Sequence, residues 1–454
     1  MINFLPLGGA GEIGANCYFL KYGNAGIVLD CGLHPQKSGI EALPDFNLIQ
    51  DQPVDYVLIS HAHQDHIDSL PFLVQRHPYI KVISTPQTRA IAELTLHNSI
   101  SIMRGQINND KLKIYSHDEV DLLIQSIEYR AYQEEFDLKG FSSKKNTKIK
   151  ASFHDAGHIL GSAGVLIECD EHRIFYTGDI NTENQSLIPP AQLPKMKINT
   201  LILECTYGST DSSSTNDWRA ETERLTTSIN RIISQGGSIL IPVFALGKLQ
   251  EMLAVISNQM TRGRIPQVDI YTGGLGRKIS RIYDYNRYSV SRVDPEFELK
   301  NIPQKNLYEV DNPSDFFKNP CIVLASSGMM IEGTSSFRLA ERWLNQHNSS
   351  IITVGYMDPL SPGYKVANAR KGDKICLKES GELIEIKCHI ENFRFSAHAK
   401  REGLIKIVEK LKPDNIILVH GEENAENWVG SSIISRFRGK RVFKPQIGEQ
   451  INIE

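Results

Sequence analysis

Residues 54–66 read VDYVLISHAHQDH. The first seven positions are mostly apolar and rich in β-formers, which predicts a short buried strand. That strand runs directly into four residues of metal-ligand type, His61, His63, Asp65 and His66. An extended backbone places residues two apart on the same side, so His61 and His63 face one position. Asp65 and His66 fall in the following turn and can face a neighbouring one. Imidazole and carboxylate donors suit zinc, with manganese or iron as alternatives. The plain alternative, a polar helix start capped by Asp65, leaves the density of histidine unexplained.

The same arrangement of strand followed by ligand recurs further along the chain. His158 follows the strand KIKASFH, Asp179 follows HRIFYTG and His420 follows NIILV. These placements gather all the ligands on one edge of the sheets. The expected division is His61, His63 and His158 on one metal, and Asp65, His66 and His420 on a second, with Asp179 bridging. A shared carboxylate suits the pair of cations used in two-metal hydrolysis. Asp30 ends the strand AGIVLD. It reads either as a strand-end turn residue or as the hydrogen-bond partner that orients a ligand histidine.

Around this centre the first part of the chain is a series of short strands, and the stretch from Thr88 to Leu123 has a helical pattern. A polar run, GSTDSSSTN at 208–216, reads as a linker. Beyond it the rhythm changes to strand, glycine turn, helix, which implies a parallel α/β sheet. In such sheets ligands bind at the carboxyl ends of the strands. Here those ends are 244–248, 273–277, 326–330 and 355–364. Their glycines fit ordinary turn chemistry as well as a close approach to a ligand. Metal ligands are absent between Asp179 and His398, and the new rhythm sits inside that gap. The expected organisation is a first domain made of 1–206 and 396–454, with 207–395 inserted as a second. The C-terminal KRVFKPQIGEQINIE is expected to form a strand pair.

The chain has 454 residues, 41% of them hydrophobic, and a net charge of −3. It is not a strongly basic protein, so any nucleic-acid contact must come from a local patch. The basic run SSKKNTKIK, with Lys144, Lys145, Lys148 and Lys150, reads first as a solvated loop. Seven cysteines lie scattered without a C-x-x-C pair, which suits reduced thiols in a cytoplasm. Neither a signal peptide nor a run of roughly 20 apolar residues is visible. A soluble cytoplasmic protein without membrane contact is expected.

The order Asp30, HAHQDH, the GH at His158 and the GD at Asp179 resembles the metallo-β-lactamase superfamily. LDCGLHP, GIEALPDF, HDAGHILGSA, LECTYG, IPVFALGKLQEML, ASSGMM, FSAHA and VHGE narrow the resemblance to the β-CASP nucleases. It extends from Leu7 to Glu422. The FSAH form is closer to the pre-mRNA cleavage and polyadenylation endonuclease branch and its minimal bacterial relatives than to ribonuclease J. The resemblance implies an α/β fold, an αββα metallo-β-lactamase sandwich carrying an inserted parallel-sheet β-CASP domain. It implies two Zn²⁺ per chain, with Mn²⁺ as the alternative, and RNA as the partner; a homodimer is compatible with it. Three motif positions carry over: Glu204, His398 and His420. By residue type alone, His398 is an ordinary histidine at a helix start. The resemblance makes it the general acid, held protonated by Glu204. Two departures concern RNA affinity rather than the metals: Asp68 stands where the family has Gly, and GSTDSSSTN lacks the family's basic cluster.

The activity so implied is hydrolysis of RNA phosphodiesters by a metal-activated water, leaving 3′-hydroxyl and 5′-phosphate ends. Internal cutting is expected, with 5′-exonuclease digestion as a further mode. Asp65 and Asp30 belong with His398 and Glu204 in the catalytic set. Substrate phosphates are assigned to Lys248 and to the turn Ser326, Ser327 and Gly328 ahead of a helix. A small-molecule hydrolase of the same superfamily explains the metals equally well but not the insertion. A non-catalytic scaffold is disfavoured by the complete ligand set.

Overall fold

The computed structural model describes residues 2–106, 113–139, 148–378 and 381–453. Lys144 and Lys145 lie outside the described residues. The chain divides into two compact units. The first holds Met1–Glu183, Pro190–Ser212 and Ala397–Glu454; the second holds Asn184–Pro189 and Ser213–Ser396.

The first unit opens with an antiparallel meander, β1 (Ile2–Gly8), β2 (Cys17–Tyr22) and β3 (Ala25–Leu29). Three parallel strands follow: β4 (Tyr56–Leu58), β5 (Lys81–Ser84) and β6 (Glu128–Tyr129). Parallel neighbours need crossovers. Here these are α1 (Gln64–Ile67) with α2 (Leu70–Arg76), and α3 (Pro86–Gln106) with α4 (His117–Ser126). The second sheet takes β7 (Phe136–Asp137), β8 (Ile149–Asp155), β9 (Ala163–Cys169) and β10 (His172–Tyr176) in antiparallel order, then β11 (Thr200–Glu204) in parallel.

The second unit is an α/β layer. It contains α5 (Trp218–Ser234), β12 (Ile239–Pro242), α6 (Lys248–Thr261), β13 (Asp269–Thr272), α7 (Gly274–Tyr285), β14 (Lys305–Asn306), β15 (Cys321–Ala325), α8 (Ser335–Trp343), β16 (Ser350–Thr353) and α9 (Pro362–Ala367). The small hairpin β17 (Lys374–Ile375) and β18 (Ile384–Glu385) and the strand β19 (His389–Asn392) complete it. Its six-stranded sheet runs β14-β13-β15-β12-β16-β19, with every pairing parallel. A core of Leu240, Val323, Phe337, Trp343 and Ile351 fills it. The segment 184–189 belongs here because Glu251 on α6 accepts the backbone N–H of Ser186, Leu187 and Ile188 at 2.7, 3.0 and 3.2 Å.

The chain then returns to the first unit with α10 (Arg401–Leu411), β20 (Asn415–Val419), α11 (Glu423–Arg436), β21 (Arg441–Phe443) and β22 (Ile451–Ile453). The last two strands form, but they do not pair with each other. β21 joins β20 in the second sheet and β22 joins β1 in the first. Alternation sorts the core of this unit. Phe4, Tyr18, Ile27 and Leu29 meet Phe153, Val165, Ile167 and Tyr176 between the sheets. Leu166, Phe175, Leu201, Leu203 and Leu418 face outward onto Leu404, Ile407 and Val408 of α10 and Val429 and Ile433 of α11. Strands covered on both faces read as continuous apolar runs, as NIILV and TLIL do.

Candidate metal centre

The ligand-type residues converge on the carboxyl edge of the first unit's sheets. His61 Nε2 and His158 Nε2 each lie 3.1 Å from His63 Nδ1. Asp179 Oδ2 lies 3.4 Å from His61 Nε2 and 3.5 Å from His158 Nε2. Beside them, His420 Nε2 is 3.2 Å and His66 Nε2 3.7 Å from Asp65 Oδ2. Asp179 Oδ1 lies 3.3 Å from His66 Nε2 and 3.0 Å from His420 Nδ1. Asp179 therefore reaches both groups, one oxygen to each.

Three observations test whether this set suits metal ions. Ligands about 2.05 Å from a tetrahedral zinc stand about 3.4 Å apart, and four separations within the first group, at 3.1, 3.1, 3.4 and 3.5 Å, are close to that. Asp179 Oδ1 is buried and has no hydrogen bond of proper geometry, although His66 and His420 stand 3.3 and 3.0 Å from it. The electrostatics agree. Burial, then the charge of neighbouring histidines, pushes His61 and His63 down, His63 to about 3. His158 is lowered too, by burial and then by His398. All three therefore present lone pairs. In the second group burial is outweighed by Asp179 and Asp65, and these raise His66 well above its usual range and His420 to about 10. That pocket has an excess of carboxylate and attracts cations.

The ring nitrogens facing away from the cluster are fixed by partners, as metal-ligating histidines require. His158 Nδ1 is 2.8 Å from the Ala397 carbonyl, so Nδ1–H donates and Nε2 is left as acceptor. His66 Nδ1 is 2.8 Å from Asp30 Oδ2. Asp30 also accepts from the Ser60 N–H at 2.6 Å, the Ser60 hydroxyl at 2.7 Å and the Tyr176 hydroxyl at 2.7 Å. The Ser60 hydroxyl lies 3.0 Å from His61 Nδ1 and accepts from it. Asp30 and His420 themselves sit at φ +58° and +50°, a strained conformation for side chains other than Gly and typical of functional positions. Two positions after Asp30 the chain needs glycine, since a Cβ on Gly32 would lie 1.7 Å from the Asp65 carbonyl oxygen.

His398 closes the cluster just before α10. Its Nδ1 is 3.1 Å from Glu204 Oε1, and its Nε2 is 3.9 Å from Asp179 Oδ2. Burial opposes its charge, but Glu204 and then Asp179 outweigh burial and raise its pKa. Glu204, at the end of β11, also accepts from the N–H groups of Ile180 and Thr206, each at 3.0 Å.

The residues assigned to phosphate lie in the second unit and have other partners. The ammonium of Lys248 donates to the Phe395 carbonyl and lies 5.4 Å from the Trp218 ring centroid. Burial pushes its pKa down to about 8. The turn at Ser326, Ser327 and Gly328 does not lead directly into a helix, because α8 starts at Ser335. The carbonyls of Ser326 and Ser327 accept from the hydroxyls of Ser335 and Ser336, both at 2.6 Å. Ser327 Oγ accepts from the Ile331 N–H at 3.1 Å. Lys150 pairs with Glu135.

Sequence reading missed Asn16, which is fully buried, with Nδ2 3.0 Å from both the Asp65 carbonyl and His66 Nε2. A lone asparagine after a glycine-rich run carries no ligand signature. Ser60 and Tyr176 were missed for a similar reason, since each reads as part of an apolar strand.

Family models and relatives match the chain along most of its length. Three family models match: the metallo-beta-lactamase superfamily at residues 10–127, the Beta-Casp domain at 249–366, and the Zn-dependent metallo-hydrolase RNA specificity domain at 383–445. The chain is 30% identical to cleavage and polyadenylation specificity factor 73 of Drosophila melanogaster, over 93% of this chain and 60% of that protein. It is 28% identical to cleavage and polyadenylation specificity factor subunit 3 of Dictyostelium discoideum, over 100% of this chain and 58% of that protein. It is 29% identical to the endoribonuclease YSH1 of Saccharomyces cerevisiae, over 99% and 59%. The chain thus spans about three fifths of the length of these relatives. A crystal structure of a protein of unknown function from Enterococcus faecalis V583 shares the fold, with a TM-score of 0.58 at 13% identity and 99% coverage of both chains. The fold, the metal-type cluster and all three family models agree: the chain belongs to the β-CASP family of the metallo-β-lactamase superfamily, a family of metal-dependent hydrolases.

Proposed function

We propose that this chain is a two-metal ribonuclease that cuts RNA internally. The observation that carries the reading is the paired ligand cluster with the His398–Glu204 pair at its edge. His61, His63, His158 and Asp179 would hold one ion, and Asp65, His66, His420 and Asp179 the other. Zinc is the first choice and manganese the alternative. Bound as a pair, such ions supply an acidified water, with its pKa brought from about 15.7 toward about 7, and positive charge opposite the phosphate.

The protein's own groups do the rest. Asp30 and the Ala397 carbonyl orient His66 and His158, and Ser60 orients His61. His398 holds a proton on Nε2, facing the cluster, while Glu204 accepts from its Nδ1–H. From there it donates to the ribose oxygen as that oxygen leaves. The products are a 3′-hydroxyl and a 5′-phosphate. The match at 383–445 to an RNA specificity domain and the endoribonuclease name of the yeast relative support RNA as substrate. The same reading takes the second unit as the inserted β-CASP domain. Seven free thiols suit a cytoplasmic setting, and among the described residues no helix is long and apolar enough to cross a membrane.

Internally labelled RNA bearing either a 5′-triphosphate or a 5′-monophosphate, incubated with Zn²⁺- or Mn²⁺-loaded protein, tests the proposal. Internal fragments with 5′-phosphate ends are expected from both RNAs, and Asp179→Ala should abolish them. Mononucleotides released only from the monophosphorylated RNA would replace the endonuclease reading with a 5′-exonuclease. Intact RNA alongside rapid hydrolysis of a lactam or thioester would overturn the ribonuclease.

A further inference from the structure

The helix α7 carries a face that the catalytic reading does not use. Its inner side, Gly276, Ile279, Ser280 and Tyr283, is buried. The opposite side presents Arg277, Lys278, Arg281 and Tyr285 at helical spacing, so all four lie along one stripe. Tyr285 is 88% exposed, a large unburied ring on a helix whose other face is well packed.

The three cations form no ion pair among the described residues, whereas some basic side chains elsewhere do. Arg130 pairs with Glu128, Arg173 with Glu168, Arg231 with Glu391 and Arg264 with Glu223. The nearby carboxylates are already engaged. Asp284 turns inward and accepts from the N–H groups of Leu299 and Lys300 at 2.7 and 2.9 Å. Glu298 pairs with Arg287 and Lys300, and Glu309 accepts from Asn306. The stripe therefore carries three cations without a carboxylate partner among the described residues, on a chain whose net charge is −3.

At the head of the helix lies a second ring. Tyr308 packs against the β13–α7 turn, and the two glycines there make room for it. A Cβ on Gly273 would come 2.7 Å from its ring and one on Gly274 3.2 Å from its hydroxyl. Tyr308 is nevertheless 58% exposed, so one side is held against backbone and much of the ring stays open. This turn is at the carboxyl end of β13, the edge where parallel sheets receive ligands. Twelve helical residues span about 18 Å, long enough for a few nucleotides of extended strand between the two rings.

Resting on the ribonuclease reading above, we propose that the outward face of α7, from Tyr308 to Tyr285, is a docking track for single-stranded RNA. Arg277, Lys278 and Arg281 take the phosphates and the two tyrosine rings stack on bases. Cations that follow the backbone and aromatic rings that accept any base are the usual combination for sequence-tolerant single-strand binding.

Fluorescence anisotropy with a short labelled single-stranded RNA tests the track, with hydrolysis of bis(4-nitrophenyl) phosphate by the metal-loaded protein as the control for folding and metals. The K278E/R281E variant should bind RNA about tenfold or more weakly. Its log–log salt dependence should flatten by about 0.7 for each phosphate that is no longer neutralised. Y285A should lose about fivefold or more, and Y285F should recover it, since the ring does the stacking. Diester hydrolysis should be unchanged in all three. If wild-type protein binds and cuts RNA but the variants match it in affinity and salt slope, the track is wrong and the ribonuclease reading stands. If RNA binding is unchanged and the variants instead alter sedimentation, the face serves protein association and the proposal falls. If the wild-type protein hydrolyses the diester but neither binds nor cuts RNA, both readings fall.

Discussion

His398 occupies a position with two distinct sides: Nδ1 on Glu204, Nε2 toward Asp179. It completes neither group of four ligands, so His398→Ala is expected to keep the metals, measured by elemental analysis. RNA cleavage should fall by about 10²–10⁴-fold, the usual loss on removing a positioned general acid. A nitrophenyl phosphodiester, whose leaving group needs little protonation, should lose far less. Equal losses on both substrates would remove the acid role, and loss of metal would make His398 structural. Glu426 gives a residue-scale prediction independent of catalysis. It lies on α11 and accepts from the Gly11 N–H at 3.1 Å. Burial nonetheless raises its pKa from an ordinary 4.5 to about 7. Between those values the folded state holds a proton that the unfolded chain releases, so stability falls as pH rises through that window and levels off above it. The size is on the order of 3 kcal/mol. Glu426→Gln keeps an acceptor for Gly11 and should flatten that part of the profile of denaturant midpoint against pH. An unchanged slope would assign it to another group.

Among the elements, the strand-then-ligand pattern was legible because it is local. HAHQDH, His158, Asp179 and His420 each follow an apolar run, and sheet geometry brings strand ends to one edge. The parallel sheet of the second unit was legible from its repeated strand–glycine–helix rhythm. What was not legible depends on distant partners. β21 and β22 read as neighbours, but they enter different sheets because β20 and β1 offer the open edges. The helix α11, ENAENWVGSSIISR, was missed because a glycine and polar residues blur its apolar period. Lys248 looked like a phosphate ligand from its place at a helix start, yet its ammonium anchors the carbonyl of Phe395. The strap at 184–189 was invisible as well, because nothing in SLIPP announces that Glu251, more than sixty positions on, will gather its N–H groups. Glu251→Ala should leave three donors unpaired at about 1–3 kcal/mol for each one that stays buried. A drop of that order in denaturant stability is expected, with a smaller one for Glu251→Gln. A loss below about 1 kcal/mol would mean that water replaces the carboxylate and the strap is not held by Glu251.

At the scale of the whole molecule, each of three apolar clusters draws its residues from one unit. The layer between the sheets and the layer beneath α10 and α11 belong to the first unit, and the layer around Trp343 belongs to the second. The metal-type cluster lies entirely in the first, where Asp30, Asp179 and Glu204 are buried with Asp65 beside them. Without cations, His66 and His420 carry the compensating charge by staying protonated, as their raised pKa values require. Metal binding should therefore release protons, and calorimetric titrations with zinc should give apparent heats that vary with the ionisation enthalpy of the buffer. Binding also stabilises the state that binds. Free zinc at about 100 times its dissociation constant adds about 2.7 kcal/mol. Because that increment acts on the first unit's core, scanning calorimetry of zinc-loaded and chelator-treated protein should show one transition moving and the other staying. If both shift together, the two units unfold as one cooperative body despite their separate cores. If neither moves and no protons are released, the cluster does not hold metal, and the proposed chemistry fails with it.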